Sequence, residues 1–279
     1  MKSPDLGVDC KKRVPGPRNA LTRHAGLTLM FLISSAATLL GQPGTITNVS
    51  AGNYRAIVSP DSIVSAWGTN FATATTAATN TTLPTTLGGI QLTLKDSGNQ
   101  TLTPALYMVA PGQINYVLPK TTQLGKGTLS LMSSSGVQFS GPLLVSQVAP
   151  ALFTTDGSGN GVPAAQVERV TANGVVTFES PVGSTPTSPR PLDIGSNPTD
   201  KIYIILYGTG FRLHSLNPVI ATIGGVTIPT LYAGAQSQYP GLDQINIGPI
   251  PSSLTGRGTV DLAIVVDGIP ANTVQLAIK

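Results

Sequence analysis

The sequence predicts an all-β protein built from two antiparallel β-sandwiches in tandem. Blocks of the first half recur in the second half in the same order, and no stretch after Gly41 keeps an apolar period of 3.6 residues over three helical turns. Short alternating apolar segments separated by Gly and Pro turns are typical of sandwiches. With 41% hydrophobic and 10% charged residues, 31 Gly and 23 Pro, the composition is that of a turn-rich globular chain and excludes a disordered one.

The first 41 residues predict an export signal. They carry six basic and two acidic side chains, which account for the whole formal net charge of +4. The uncharged run over residues 25–40 is shorter than the roughly twenty apolar residues of a membrane-spanning helix. We expect cleavage between Gly41 and Gln42. The long basic leader leaves a downstream start codon or a retained N-terminal anchor open, and a buried core helix is the least favoured alternative.

Charge and cysteine content exclude several function classes for the rest of the chain. Acidic and basic residues balance after Gly41, so the electrostatic footprint of a nucleic-acid-binding protein is missing. The single cysteine, Cys10, precedes the expected cleavage site, which excludes disulfides, thiolate metal sites and N-terminal lipid attachment in the exported part. We expect no cofactor, no nucleic acid partner and no membrane span after cleavage.

Five sequence blocks recur in one order. Residues 63–71 match 203–211, 86–90 match 222–226, 106–107 match 231–232, 113–115 match 244–246, and 127–129 match 258–260. The repeat positions that we single out are Gly68, Phe71, Gly88, Gly89, Gln113 and Asn115 in the first copy and Gly208, Phe211, Gly224, Gly225, Gln244 and Asn246 in the second.

The repeated glycines and aromatics predict structural roles. The two Gly-Gly pairs fit tight hairpin turns, which need positive φ. In the repeated Gly-Thr-x-Phe, the glycine ends a strand and the aromatic side chain covers the sandwich core. We favour this packing role over ligand binding, because a buried aromatic contributes mainly through its area.

The matched blocks predict the domain organisation. Residues 42–148 form the first sandwich and residues 201–279 the second. Between them, residues 149–200 contain seven Pro and six Gly, which indicates a connector. Because apolar residues are interspersed, we expect the connector to be partly ordered against one or both sandwiches, with a hairpin between 167–170 and 175–178.

Seven motifs carry a resemblance to a known family. They are residues 46–51, 61–71, 83–89, 110–116, 149–154, 156–161 and 206–210. In this order they resemble an uncharacterised C-terminal domain family of exported proteins in Acidobacteria such as Solibacter. Each half also resembles the immunoglobulin-like IPT/TIG fold. The resemblance implies seven-stranded sandwiches used for spacing, docking or adhesion, and it brings no catalytic residue.

The residue types that support catalysis do not assemble into a site. His24 lies in the leader, which leaves His214 alone, and the Gly-x-Ser-x-Gly elbow of serine hydrolases does not occur. The acidic residues show no spacing that would pair two carboxylates for glycoside hydrolysis. Those considered are Asp61, Glu168, Glu179, Asp193 and Asp243. We therefore expect a protein without enzymatic activity.

One weak calcium candidate remains. Asp156, Ser158 and Asn160 copy the start of a calcium-binding loop, but position 12 of that loop is Val167 in place of an acid. A simple turn is the favoured interpretation.

The sequence thus predicts a secreted or cell-surface module with a structural or docking role. Its partner would be an unidentified protein or glycan at the cell envelope. The alternative is a carbohydrate-binding module that stacks sugar rings on tyrosines 54, 107, 116, 232 and 239. A degenerate hydrolase would need catalytic groups that the sequence does not offer.

Overall fold

A computed structural model describes residues 44–132 and 138–279. The predicted export signal, with Gly41 and Gln42, lies outside these residues. The described residues form β-strands and turns with one short 3-10 helix, Ser252–Leu254, and contain no α-helix. The predicted all-β fold is confirmed.

The first sandwich consists of two sheets. Its strands are β1 (Thr47–Ser50), β2 (Ile57–Val58), β3 (Ile63–Trp67), β4 (Thr76–Ala77), β5 (Thr86–Leu87), β6 (Ile90–Lys95), β7 (Thr101–Leu102), β8 (Ala105–Val109), β9 (Gln113–Val117), β10 (Gly125–Met132) and β11 (Gln138–Val145). Sheet I has the order β1-β3-β9-β8-β4, and sheet II has the order β2-β11-β10-β6-β5, with β7 also on β6. Strand β6 shows why the sheets pack face to face: Ile90, Leu92 and Leu94 are buried and alternate with exposed side chains.

The second sandwich repeats this arrangement. Its strands are β12 (Ala151–Leu152), β13 (Ala165–Val170), β14 (Val176–Glu179), β15 (Pro191–Leu192), β16 (Lys201–Thr209), β17 (Ile220–Ile223), β18 (Val226–Ile228), β19 (Thr230–Ala235), β20 (Asp243–Ile247), β21 (Gly258–Val266), β22 (Ile269–Pro270) and β23 (Val274–Ile278). Sheet III has the order β14-β13-β16-β20-β19, with β12 on β16. Sheet IV has the order β15-β23-β21-β17-β18, with β22 on β21.

Both sandwiches have immunoglobulin-like topology. Strands β1, β3, β9 and β8 follow the A-B-E-D order, and β11, β10 and β6 follow the G-F-C order on the facing sheet. In the second sandwich, β16, β20 and β19 take the B, E and D places, and β23, β21 and β17 take the G, F and C places. The short strands β2 and β15 each run parallel to the last strand of their sandwich.

Residues 149–200 contribute strands to the second sandwich, although their composition indicates a connector. Strands β12, β13 and β14 extend sheet III, and β15 extends sheet IV. The hairpin expected in this segment forms, with Val170 opposite Val176 and Val167 opposite Glu179. Val167 is buried in the core of the second sandwich. Buried apolar side chains such as Val167 therefore join this segment to the second core despite its Pro and Gly content.

The repeated Gly-Gly pairs form tight turns in both copies, but the flanking strands exchange places. Gly88 and Gly89 have φ of 57° and 77°, and Gly224 and Gly225 have φ of 54° and 79°. In the first copy, β6 follows the turn and pairs with β10. In the second copy, β17 precedes the turn and pairs with β21. The matched blocks thus share a local conformation without sharing a place in the sheet.

Each sandwich encloses its own hydrophobic core. Phe71 lies in the first core at 1% exposure and Phe211 in the second at 0%. A side chain added at Gly68 would meet the Phe71 ring at 2.3 Å, and one at Gly208 would meet the Phe211 ring at 2.9 Å. The glycine leaves room for the aromatic ring at the same point of both sandwiches.

Candidate interaction surface

Strand β14 is an edge of sheet III with exposed apolar side chains. Within the described strands it pairs with β13 alone. Val176 is 37% exposed and Phe178 is 45% exposed. Thr171 N–H donates to Val175 O at 3.0 Å in the adjoining turn. Because hydrogen-bonded and non-hydrogen-bonded pairs alternate in antiparallel ladders, the backbone groups of Val176 and Phe178 point away from β13.

The other described edges are shorter, buried or irregular. Strands β2, β4, β5 and β15 have two residues each, and β15 begins with Pro191. Strand β1 is largely buried, and β19 has a register shift between Thr230 and Tyr232. Natural edge strands are commonly blunted by short length, proline or bulges. Strand β14, with four residues, contains no proline and no bulge and is exposed, so its outward backbone groups are open to another strand.

The outer face of sheet III continues this surface toward β19. Phe178 and Tyr203 both lie opposite Glu168, while Asn246 lies between Ile205 and Tyr232. Gln244 Nε2 donates to Asn246 Oδ1 at 2.8 Å. Cross-strand neighbours share a face, and the alternating residues of β16 and β20 are in the core, so these side chains face outward. We name Val176, Phe178, Tyr203, Tyr232, Gln244 and Asn246 the docking face.

The equivalent face of sheet I is buried at its centre, at Ser65 and Asn115. Asn115 Oδ1 accepts hydrogen bonds from Gln113 Nε2 at 2.9 Å and from Ser65 Oγ at 2.8 Å. Asn115 is 0% exposed. Contacts from the second sandwich reach this sheet: Ile63 N–H donates to Thr209 Oγ1 at 2.8 Å. The repeated Gln-x-Asn pair therefore keeps its internal hydrogen bond in both copies, but its asparagine is fully buried in the first copy and half-buried in the second.

An ion cluster joins the two sandwiches. Arg212 Nη1 lies 2.6 Å from Asp61 Oδ2, and Arg212 Nε lies 2.5 Å from Asp243 Oδ1. Asp243 Oδ2 also accepts from the backbone N–H groups of Phe211 at 2.8 Å and Arg212 at 3.1 Å. Burial raises the pKa of Asp243 to about 6, although the Arg212 charge and these hydrogen bonds lower it. The cluster fixes the junction, because a separated Asp243 or Arg212 would be left as a buried charge.

The acidic residues singled out in the sequence are not arranged as a catalytic pair. Asp61 and Asp243 approach each other through the guanidinium of Arg212. Glu179 binds Arg169 Nε at 3.0 Å, and Asp193 offers its backbone oxygen to Arg169 Nη2 at 2.6 Å. Among the described residues Glu168 has no ion pair and faces outward beside Phe178. Sequence reasoning missed Arg212 and Arg169, since single arginines carry no motif.

The calcium candidate is a turn whose polar groups satisfy one another. Asp156 Oδ1 accepts from the backbone N–H of Ser158 at 3.0 Å and from its hydroxyl at 2.8 Å. Burial would raise the pKa of Asp156, but hydrogen bonds from Ser158 and Thr154 hold it below its usual value. Val167, at the place of the missing acid, points into the core. The described residues contain no group of three or more His, Cys, Asp or Glu side chains able to hold a metal.

The five tyrosines considered for sugar stacking do not form one platform. Tyr116 is 0% exposed, and its hydroxyl donates to Asn48 Oδ1 at 3.1 Å. Tyr107 donates to Pro240 O at 2.7 Å across the junction, and Tyr54 packs against Trp67 with ring centroids 6.4 Å apart. Tyr239 is half-buried, and Tyr232 is exposed on the docking face.

His214 lies in the loop after Arg212. Its ring nitrogens are 2.6 Å from Ser215 O and 3.3 Å from Ala233 O. These backbone contacts orient the imidazole as part of the loop. No other described histidine or cysteine exists that could join it in a metal site.

Comparisons with known proteins show distant similarity in fold. No family model and no curated protein matches the chain. A Bacteroides ovatus SGBP-B structure from a mixed-linkage glucan utilization locus, in complex with a mixed-linkage heptasaccharide, shares 14% identity at a TM-score of 0.33. The match covers 86% of this chain and 46% of that one. The I9-I11 tandem from titin shares 9% identity at a TM-score of 0.23, over 80% of this chain and 62% of that one.

The chain therefore spans less than two thirds of both structures. Within the residues described, no helix is long and apolar enough to cross a membrane. The immunoglobulin-like architecture rests on the strand order of the two sandwiches themselves.

Proposed function

We propose that the protein is an exported, non-enzymatic docking module that binds another protein through β14 and the docking face. The observation that carries this proposal is the free edge of β14, where Val176 and Phe178 present both apolar side chains and outward backbone groups. An extended segment of a partner would add a strand beside β14. Its backbone would supply affinity, and contacts with Phe178 and Val176 would supply specificity.

The structural contacts of the acidic side chains support a non-enzymatic role. Asp61 and Asp243 hold the junction, and Glu179 binds Arg169. These contacts use the charged groups for structure. Export is supported by the basic leader and the apolar run over residues 25–40. Membership of the acidobacterial family and a location at the cell surface stay predictions.

The test uses the full chain with a photo-crosslinking amino acid in place of Phe178. We expect ultraviolet light to join it to one discrete protein in an envelope fraction of the source organism. The control places the same amino acid at Ile220, which is 50% exposed on sheet IV. Crosslinking at Ile220 alone, or at neither position, would contradict docking at β14.

A backbone variant separates strand addition from simple apolar contact. Val176→Pro removes an N–H that points away from β13, so the β13 ladder keeps its hydrogen bonds. We expect this variant to fold and to lose partner binding. Binding that survives Val176→Pro but is lost in Phe178→Lys would show that the docking face binds without strand addition.

A further inference from the structure

An open surface depression, called the cleft below, lies on the opposite side of the second sandwich, away from the docking face. It has a volume of about 340 Å³ and is lined by Asn160, Gly161, Asp261, Thr273 and Gln275. Asp261 belongs to β21 and Gln275 to β23, and the two are direct cross-strand partners in sheet IV. The cleft therefore lies between the turn over residues 156–161 and the outer face of sheet IV.

The side chains of the cleft are available to a ligand. The side chains of Asp261, Thr273 and Gln275 are exposed, and within the described chain they make no hydrogen bond and no ion pair. Asn160 has one long contact, from Ser158 Oγ to its Oδ1 at 3.3 Å. A carboxylate, two amides and a hydroxyl thus line one depression, three of these four groups make no internal hydrogen bond, and together they supply both donors and acceptors.

The wall formed by the turn is held rigidly. Gln275 N–H donates to Gly161 O at 2.6 Å. Asn272 holds the same turn through its side chain, because its Nδ2 donates to Gly159 O at 2.7 Å. Its Oδ1 accepts from Leu152 N–H at 2.8 Å. A cleft that is ordered before binding loses less entropy when a ligand enters.

We propose that this cleft binds a neutral saccharide. Its volume lies at the small end of ligand sites, which span about 300–1,000 Å³. No basic side chain lines it, which disfavours an anion, and one carboxylate in so large a space is a poor cage for a cation. Adjacent sugar hydroxyls can donate to the Asp261 carboxylate while the Gln275 and Asn160 amides bond to the next hydroxyl.

This inference goes beyond the docking function and does not depend on it. The docking face lies on sheet III and the cleft on sheet IV, so each surface can be altered alone. The site also differs from the stacked tyrosines that the sequence suggests. Saccharide binding here uses hydrogen bonds without an aromatic platform.

The experiment is a binding screen followed by calorimetry. The purified full chain is tested on an array of neutral oligosaccharides, and the strongest binder is then titrated. We expect Asp261→Ala and Gln275→Ala each to weaken binding about tenfold or more, because each removes hydrogen bonds worth about 1.4 kcal/mol in total. Both positions are exposed, so we expect the melting temperature to stay unchanged.

Glu168→Ala is the matched control, since Glu168 is a carboxylate without an ion pair on the other sheet of the same sandwich. It should bind the saccharide as the wild type does, and Phe178→Lys should as well. Three results would overturn the proposal. The first is that the wild type binds no neutral saccharide on the array. The second is that Asp261→Ala binds the saccharide as tightly as the wild type. The third is that the wild type gives heat when titrated with calcium chloride alone and Asp261→Ala gives none.

Discussion

The two sandwiches place the same hydrogen bond in opposite surroundings. Gln113 donates to the fully buried Asn115, and Gln244 donates to the half-buried Asn246, which solvent reaches. In the first sandwich, Ser65 also bonds Asn115, and the second sandwich contacts the sheet at Ile63. A repeated motif therefore stabilises a buried face in one copy and leaves an accessible surface in the other.

The copies differ in charge as well as in exposure. Asp243 directly precedes Gln244, and the matching place before Gln113 is Gly112. Asp243 is fully buried against Arg212, while Gly112 lies in a half-exposed turn. The loop that forms the junction in the second copy is an ordinary strand connection in the first.

Removing the buried carboxylate gives the largest expected effect. Asp243→Ala leaves the Arg212 guanidinium at 11% exposure without its closest acid, and loss of one partner of a buried pair costs about 3–5 kcal/mol. Gly112→Ala is the control, because its new side chain meets Gly68 O at an ordinary 3.5 Å. Urea unfolding followed by circular dichroism measures both. Equal free energies of unfolding for the two variants would contradict the proposed difference between Asp243 in the second copy and Gly112 in the first.

Trp67, the single tryptophan of the chain, reports on the first sandwich separately. If the junction couples the sandwiches, Asp243→Ala lowers the urea midpoint of Trp67 fluorescence too. An unchanged fluorescence transition would mean that the first sandwich unfolds independently of the ion cluster.

The pH dependence of stability tests the role of the buried Asp243, which has no acidic counterpart in the first copy. Burial raises the pKa of Asp243 to about 6 in the folded protein, above the value of about 3.9 for an unfolded aspartate. The folded state holds this proton more tightly, so the stabilisation from Asp243 is complete below about pH 4 and is lost as the pH rises through 6. We expect the melting temperature of the wild type, relative to Asp243→Asn, to rise between pH 7 and pH 5.

Two other carboxyl groups, those of Asp193 and Asp267, lower the stability of the folded state as the pH falls below about 4. A hydrogen bond from the Ser196 hydroxyl holds the pKa of Asp193 below its usual range, and one from the Ser215 hydroxyl lowers that of Asp267. Their contribution is present above about pH 4 and is lost as the pH falls further. Asp243→Asn leaves this acid limb unchanged. A melting temperature that runs parallel in wild type and variant from pH 7 to pH 5 would refute the raised pKa.

The glycines beside the buried phenylalanines give the next largest effect. A Cβ at Gly208 would lie 2.2 Å from the backbone oxygen of Ala151, whereas one at Gly68 would first meet the Phe71 ring at 2.3 Å. Overpacking costs about 1–3 kcal/mol, and a ring moves more easily than a paired strand. We expect Gly208→Ala near the top of this range and Gly68→Ala lower, as measured by urea unfolding. The reverse order would show that the Phe71 ring cannot move.

Much of this architecture could be predicted from the sequence. The alternation of β6 and the Gly-Gly turns depend on local backbone geometry, which neighbouring residues determine. The role of residues 149–200 could not be predicted, because Pro and Gly are equally frequent in connectors and in the turns between short strands. The strand beside the Gly-Gly turn that pairs inward also differs between the copies, β6 with β10 and β17 with β21, and the local turn motif does not determine this pairing.

The candidate surfaces were harder to predict than the fold. The outward backbone groups of Val176 and Phe178 exist because β14 is an edge, and sheet order is a long-range property. The cleft brings together Asn160 and Asp261, which are far apart in sequence. The Asn160 motif was visible as a calcium-like loop, but its partner strand was not.

Substitution of the two matched asparagines, Asn115 on sheet I and Asn246 on sheet III, compares the outer faces of these sheets directly. Asn115→Ala leaves the buried Ser65 hydroxyl without its acceptor, and an unsatisfied buried polar group costs about 1–3 kcal/mol. Asn246→Ala removes a half-exposed partner, so water replaces it at a cost within about 0.5 kcal/mol. Urea unfolding of the two variants checks this difference. Similar losses would mean that the outer face of sheet III is covered in solution.

The hairpin glycines give the smallest contrast, because the two turns share a local conformation. Gly88 and Gly224 have φ of 57° and 54°, which non-glycine residues adopt at a cost of about 1 kcal/mol. The new side chains have 3.2 Å and 3.4 Å of clearance to their nearest neighbours. Alanine at either position should therefore lower the free energy of unfolding by nearly the same amount, and asparagine by less, because it tolerates positive φ. A loss confined to one copy would show that the exchanged places of β6 and β17, and not the turn itself, set the energy of the hairpin.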